Sequence, residues 1–430
     1  MKYGEKGFLK MRKIVGLLFG LFLLVILGAC GSNSEDAKAD NEITLWYWNR
    51  GLDESVLEKV KEEFPEVEFK AQKLPPGGDY KTKLSSLLAS KNSDDAPDMV
   101  LMNIWVSEFL PHADRFVNLY DYGGEEIEEI YPKWKTSQAI TGDGKTMIAV
   151  PVDTSPTGFF YREDVFSQAG IANSPEELSK KMSTWDGYVD VLTALKDKTD
   201  GYAVSSIKDA FSGQVNKLDQ RVFDEEDNFI GDQKHIKEIW DKVIELNEKG
   251  LVFGNIEEQS QEWNAAINND ELVGYDGPVW AKDILIDATP DTAGKWKVSR
   301  SPVSDGNDGG SFLAVLNSSK NPKVSAEIAK FINSTDNQVT SYKNLSLFPA
   351  EIKALESDEI NHDEEFFGGQ NTTEIFAESA KNVKEAYRGP KESIVFTAFR
   401  DELDLVKIKN KDPEKAWKDA LAKIERDLGL

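Results

Sequence analysis

Two hydrophobic periods alternate along residues 43–102, and this alternation restricts the fold more than any other feature of the chain. Ile43-Thr-Leu-Trp-Tyr-Trp48 is β-branched and aromatic, the composition of a strand. From Asp53 to Phe64 the period becomes helical, with Val56, Leu57, Val60 and Phe64 on one face. Val67-Glu-Phe69 alternates as a second strand, and Tyr80 to Ala89 returns to helix through Leu84, Leu87 and Leu88. Asp98-Met-Val-Leu-Met102 is a third strand, entered after Pro97. Strand, helix, strand, helix, strand at this spacing predicts an α/β fold with a parallel sheet and helices on both faces. Ligands of such sheets sit beyond the carboxyl ends of the strands. Those ends are Trp48-Asn49-Arg50 and Asn103-Ile104-Trp105.

A second unit begins after Ile148-Ala-Val-Pro151. Gly158-Phe-Phe-Tyr161 reads as a strand with a helix starting at Glu163, and Thr184 caps a helix opened by Trp185-Asp186. Gly201-Tyr-Ala-Val204 is strand-like, His235 to Lys249 is an amphipathic helix closed by Gly250, and Leu272 to Tyr275 is a short strand. After a Gly-rich loop from Asp305 to Gly310, Ser311 to Leu316 forms a strand and Asn321 to Asn333 a helix. The C-terminal third is helical, and Pro413 opens its last helix. No internal repeat is found.

The N-terminus predicts a destination. Lys10, Arg12 and Lys13 precede an apolar run from Ile14 to Leu27, the pattern of a secretory signal. The run ends Leu27-Gly28-Ala29-Cys30, and Cys30 is the only cysteine in 430 residues. A lone cysteine excludes a disulfide framework, so the body must be held by its core. Residues 30–41 are polar and charged, a tether too hydrophilic to pack. The formal charge is −25, and removal of the basic leader makes the remainder more acidic still. Such a surface repels nucleic acid and anionic headgroups, and says little about a neutral ligand.

The segment around Cys30 resembles a bacterial lipobox, in which the cysteine thiol takes a diacylglycerol and becomes the new N-terminus. Further segments follow in order: Pro97-Asp98-Met-Val, Val150-Pro-Val-Asp153 with Gly158-Phe-Phe-Tyr161, Thr184-Trp185-Asp186, Gly277-Pro278-Val279-Trp280, and Gly310-Ser311-Phe-Leu-Ala-Val315 with a helix ending Lys330-Phe331. Together they resemble the extracellular solute-binding proteins of ABC importers, in particular the sugar-binding group that includes maltodextrin-binding proteins. The resemblance implies a two-lobed, periplasmic-binding-protein-like type II fold with the ligand in the cleft. Residues 1–29 would be the signal peptide. One lobe would take residues 41–151 and 311–347, the other 152–310 and 348–430. It also implies a monomeric, lipid-anchored receptor on the outer face of the cell membrane. Its partners would be a carbohydrate and the permease subunits. A tether suits a cell lacking an outer membrane, hence a Gram-positive source.

A pyranose has apolar C–H faces and a hydroxyl rim, so its site needs aromatic platforms and fixed polar groups. Trp48 ends the first strand with Asn49 and Arg50; alternation puts Trp46 and Trp48 on one face and Tyr47 on the other. Asn103 and Trp105 follow the third strand. Asp153 follows the first crossover and can accept hydroxyls. Trp280 matches the family segment whose tryptophan stacks on sugar, with Asp276 a hydroxyl acceptor beside it. Gly309 and Gly310 at the later crossover permit close backbone approach or a turn. Tyr387-Arg388-Gly-Pro390 and Ser393-Ile-Val-Phe396 resemble the segment that supplies a second-lobe platform. Phe396 stands where maltodextrin relatives carry tryptophan, which weakens the case for maltodextrin. Trp185 and Trp417, at helix starts, read as packing residues.

No cofactor or metal site is expected. Gly142-Asp-Gly-Lys-Thr146 lacks the first glycine of a phosphate loop and reads as a β-turn. Asp224 to Gly231 lacks calcium-loop spacing and reads as a hairpin. His112, His235 and His362 form no zinc motif, and no Gly-x-Ser-x-Gly elbow is present. The competing readings are a glycosidase using Asp153 and Asp276, a ligand-sensing co-receptor, and a receptor for a non-sugar ligand.

Overall fold

A computed structural model of the chain describes residues 41–90, 96–258 and 260–430. Cys30 and the rest of the leader and tether up to residue 40 lie outside the described residues. Residues Ile43–Leu430 form one compact body.

The first sheet has five strands in the order β2-β1-β3-β9-β4, where β1 is Glu42–Trp48, β2 Glu68–Leu74, β3 Met99–Met102, β4 Ala149–Pro151 and β9 Phe312–Val315. β1 and β3 are parallel, with Leu45 opposite Met99. Alternation sends Leu45 and Tyr47 into one core, with Val56, Leu57 and Val60 of the helix Glu54–Glu63. It sends Trp46 into the other, with Leu84 of the helix Gly78–Ala89 and Phe109 of the helical segment Ile104–Arg115. Asp98, almost fully buried, ties the sheet centrally: its Oδ2 accepts the backbone N–H of Thr44 at 2.8 Å and the Thr44 hydroxyl at 2.9 Å.

The expectation of a purely parallel sheet is corrected. β9 lies antiparallel between β3 and β4. It returns from about two hundred residues downstream, a pairing local periodicity cannot reveal. The second strand runs over Glu68–Leu74 rather than Val67–Phe69.

The second sheet has the order β7-β6-β8, with β6 Thr157–Arg162, β7 Gly274–Pro278 and β8 Trp296–Arg300, antiparallel throughout. Phe159 and Tyr161 enter one core with Phe399 and Trp417, and Phe160 enters the other with Tyr275 and Trp296. Thr184 caps the helix Trp185–Thr199 by accepting the Gly187 N–H at 3.2 Å, and Trp185 and Trp417 are buried packing residues. Gly201–Val204 is not a strand; it makes one isolated bridge, Tyr202 with Leu272. The strand expected at Leu272–Tyr275 is β7, which begins later and includes the Asp276-Gly-Pro sequence.

Three segments join the two sheets. The first contains β5 (Asp153–Thr154), the third contains β10 (Phe348–Pro349), and these two pair antiparallel. The second, around residues 306–311, is fastened to the first. Thr157 N–H donates to Gly306 O, Asp308 N–H to Ser155 O and Val152 N–H to Ser311 O, each at 2.9 Å. The helix Thr335–Leu345 leads into the third crossing. Its Tyr342 packs in the second-sheet core, while Asn344 donates to Asp53 Oδ2 at 2.7 Å.

Candidate functional site

A cavity of about 620 Å³ lies where the ends of β1 and β3 face β7 and its following helix, floored by the crossing segments. Its volume falls within the roughly 300–1,000 Å³ typical of small-molecule sites. Trp48, Asn49, Arg50, Asn103, Asp153, Trp280 and Gly310 all border it.

Trp280 sits after β7, half-buried against the second core. Its indole N–H donates to the backbone carbonyl of Asp308 at 3.3 Å, which fixes the ring edge. Trp48 is half-buried and meets Tyr80 edge-on at 5.2 Å. Asn103 is partly spent as a cap, its Oδ1 accepting the Ile104 N–H at 2.6 Å. Arg50 adopts a left-handed φ of 60°. Its guanidinium pairs with Asp283, on the helix after Trp280, and also donates to Leu345 O at 3.2 Å. Asp283 accepts the Ser346 hydroxyl at 3.0 Å. Arg50 therefore spans from the first sheet to the second, which the sequence did not indicate.

Asp153 is buried on the floor, and its Oδ1 accepts the Ser311 N–H at 2.6 Å. Burial pushes its carboxyl above the usual range, opposed by the nearby Lys135 ammonium. Gly309 and Gly310 have φ of 127° and 92°, conformations that disfavour any side chain. A Cβ on Gly309 would stand 2.7 Å from Ser155 Oγ, and one on Gly310 would stand 2.6 Å from the Asp153 carbonyl oxygen.

Ser155 was not among the expected site residues. It borders the cavity, is 1% exposed, and its hydroxyl has no hydrogen-bond partner among the described residues. A buried unpaired hydroxyl costs free energy, and at a cavity wall it is a group a bound hydroxyl can satisfy. Asp308 falls within the Gly-rich loop from Asp305 to Gly310. It stands exposed in the cavity, and Asn216 donates to its Oδ1 at 3.3 Å. Asp308 was at least legible as a carboxylate two residues from the flagged Gly310; nothing in the sequence marks Ser155.

Four expected residues lie off this cavity. Trp105 packs edge-on against Phe109 at 5.5 Å, with the Lys81 ammonium 5.9 Å from its ring. Asp276 pairs with the buried Lys217 at 2.6 Å and accepts the Ser301 hydroxyl at 2.7 Å. Phe396 packs on the second-sheet core beneath the Arg221 guanidinium, 5.4 Å from its centroid. Arg388 is 3.7 Å from Glu392 and borders a separate cavity of about 650 Å³ with Thr136, Gln220 and Tyr387. Beside Asp276, burial and the Asp209, Asp308 and Asp276 carboxylates push the Glu258 carboxyl well above its ordinary range. Among the described residues, no cluster of His, Cys, Asp and Glu is arranged to hold a metal ion.

Two α/β lobes joined by three crossings, with an aromatic and acidic cavity at the joint, define a two-lobed solute-binding fold. The chain belongs to the bacterial extracellular solute-binding protein family, whose model matches residues 55–368. It is 23% identical to the lactose-binding protein of Rhizobium radiobacter, over 78% of this chain and 81% of that one. It is 24% identical to the arabinooligosaccharide-binding protein of Bacillus subtilis (strain 168), over 76% of this chain and 77% of that one. A solved extracellular solute-binding protein of family 1 matches with a TM-score of 0.85 at 26% identity, covering 90% of this chain and 99% of that chain.

Proposed function

We propose that this protein captures a carbohydrate of two or more sugar units by closing its lobes, and delivers it to the permease of an ABC importer. The carrying observation is Trp280: it is half-buried on the cavity wall, its N–H is held by Asp308, and no aromatic ring is stacked on it among the described residues. A flat indole suits the apolar face of a pyranose. Asp153, Asp308 and Ser155 supply acceptors for the hydroxyl rim. The lactose and arabinooligosaccharide named for two relatives favour the same ligand class.

Binding without turnover accords with the state of the proposed glycosidase pair. Of that pair, Asp276 is engaged by Lys217 and Ser301 and lies off the cavity that Asp153 borders, so these two carboxyl groups do not face one bond there. A retaining or inverting hydrolase needs two carboxyl groups flanking one bond. Lipidation at Cys30 would hold the receptor on the outer face of the membrane beside its importer, as a monomer in a Gram-positive cell. A thermal-shift panel of oligosaccharides tests the ligand class, because a ligand bound only by the native state stabilises it by about 2.7 kcal/mol at 100 times its Kd. A stabilising sugar recovered intact is the expected result. No response to any sugar, or release of shorter products, would sink the reading. Labelling with a palmitate analogue should mark the wild type and spare Cys30→Ser; equal labelling would remove the anchor.

A further inference from the structure

Behind the cavity floor lies a charge that packing does not require. Lys135, at the short helix Lys133–Thr136, is fully buried. Among the described residues its ammonium makes no hydrogen bond, and it sits 3.7 Å from the centroid of the Phe312 ring on β9. A Cβ on Gly310 would stand 2.7 Å from Lys135 Nζ and 2.6 Å from the Asp153 carbonyl oxygen, so the ammonium and Asp153 meet the same point of the crossing backbone. The charged groups facing the ammonium are Asp153 on β5, which attracts it, and Arg388 before the helix Glu392–Lys409, which repels it. Burying an ammonium is costly, and a methionine would fill a similar space without that cost. Costly buried charges gather where the charge is used.

We propose that Lys135 is a positioning residue of the ligand cavity, a buried counter-cation that keeps the Asp153 carboxylate an acceptor for ligand hydroxyls. Asp153 lies on the cavity floor with one oxygen already held by the Ser311 N–H. Left alone in that buried place, its carboxyl would favour the protonated form, which offers one acceptor fewer. The Lys135 ammonium works against this. Lys135 touches no ligand; it acts through Asp153.

The inference rests on the sugar-binding reading for its ligand arm only. The deciding test is a carboxyl carbon-13 NMR titration of the ligand-free full body, with Asp153→Asn assigning the resonance. In Lys135→Met the Asp153 midpoint should rise by about one pH unit or more, the effect of losing a nearby opposite charge. An unchanged midpoint overturns the proposal, because a packing role would not move it. Should that variant fail to fold, the wild type decides: the Lys135 amine and the Asp153 carboxyl should report each other's titration steps, and independent titrations overturn the proposal. In calorimetry with lactose at pH 6, Lys135→Met should bind about tenfold more weakly, the loss of one charge-assisted hydrogen bond. Failure of the wild type to bind any sugar would count against the sugar reading, while the carboxyl titration still decides the role of Lys135.

Discussion

Trp280 and Gly310 show two ways a single residue can matter at one cavity. Trp280 offers a surface: part of its half-buried ring packs on the second core and the ring borders the cavity. Trp280→Ala should abolish the sugar-induced rise in melting temperature while leaving the protein folded, with a lower ligand-free melt from the lost packing. An unchanged ligand response would remove this residue from the site. Gly310 offers an absence. At φ 92°, with the Asp153 carbonyl 2.6 Å from any added Cβ, Gly310→Ala should destabilise the fold by about 1–3 kcal/mol in urea denaturation. A smaller change would mean the crossing relaxes freely. Lys135 adds a pH dependence. Burial depresses its ammonium pKa to about 7, against the pull of Asp153. Between there and the ordinary lysine value the unfolded chain holds more protons than the folded one, so this group makes stability rise with pH over that window. Urea melts from pH 7 to 10 should show that rise, and Lys135→Met should flatten it; parallel curves would contradict the burial argument. At this scale the sequence was partly legible. Trp48, Asp153, Trp280 and Gly310 sit at strand ends or crossings, where local pattern places them. Trp105 and Phe396 could not be separated from them, because facing cavity or core depends on packing from distant segments.

Elements follow local chemistry, and their pairing does not. The helix Glu54–Glu63 with its Asp53 cap, the helix Trp185–Thr199 with its Thr184 cap, and the Pro413 helix were all readable from period and cap residue. The antiparallel β9 was not, since strand partners are chosen by tertiary contacts. Gly201–Val204 has strand composition yet gains only one bridge, Tyr202 with Leu272, just before the edge strand β7 begins. The Arg50–Asp283 pair joins the end of β1 to the helix after Trp280. Arg50 is half exposed, so the pair contributes less than about 1 kcal/mol to stability. Its consequence should be conformational. Asp283→Asn should leave the urea midpoint nearly unchanged while raising the radius of gyration of the ligand-free protein in X-ray scattering. An unaltered scattering profile would show that the pair does not hold the lobes together.

For the whole molecule, the crossings decide behaviour. Two fastened segments and the β5–β10 pair form a narrow joint between separate cores, the arrangement in which lobes move as bodies. A ligand touching both lobes shifts the population toward the closed form, by no more than its preference for that form. The two-lobed α/β architecture was legible because ordered segments along the whole chain carried it. The exact sugar was not, because it is set by the geometry of a few side chains on a shared scaffold. On the proposed function, this scaffold binds a carbohydrate and releases it unchanged. Calorimetric titration with lactose and arabinooligosaccharides, followed by chromatography of the recovered sugar, tests it most directly. Saturable binding of one molecule per chain is expected, with the sugar recovered whole and the heat lost in Trp280→Ala. Heat from continuing turnover, or no saturable heat with any sugar, would contradict it.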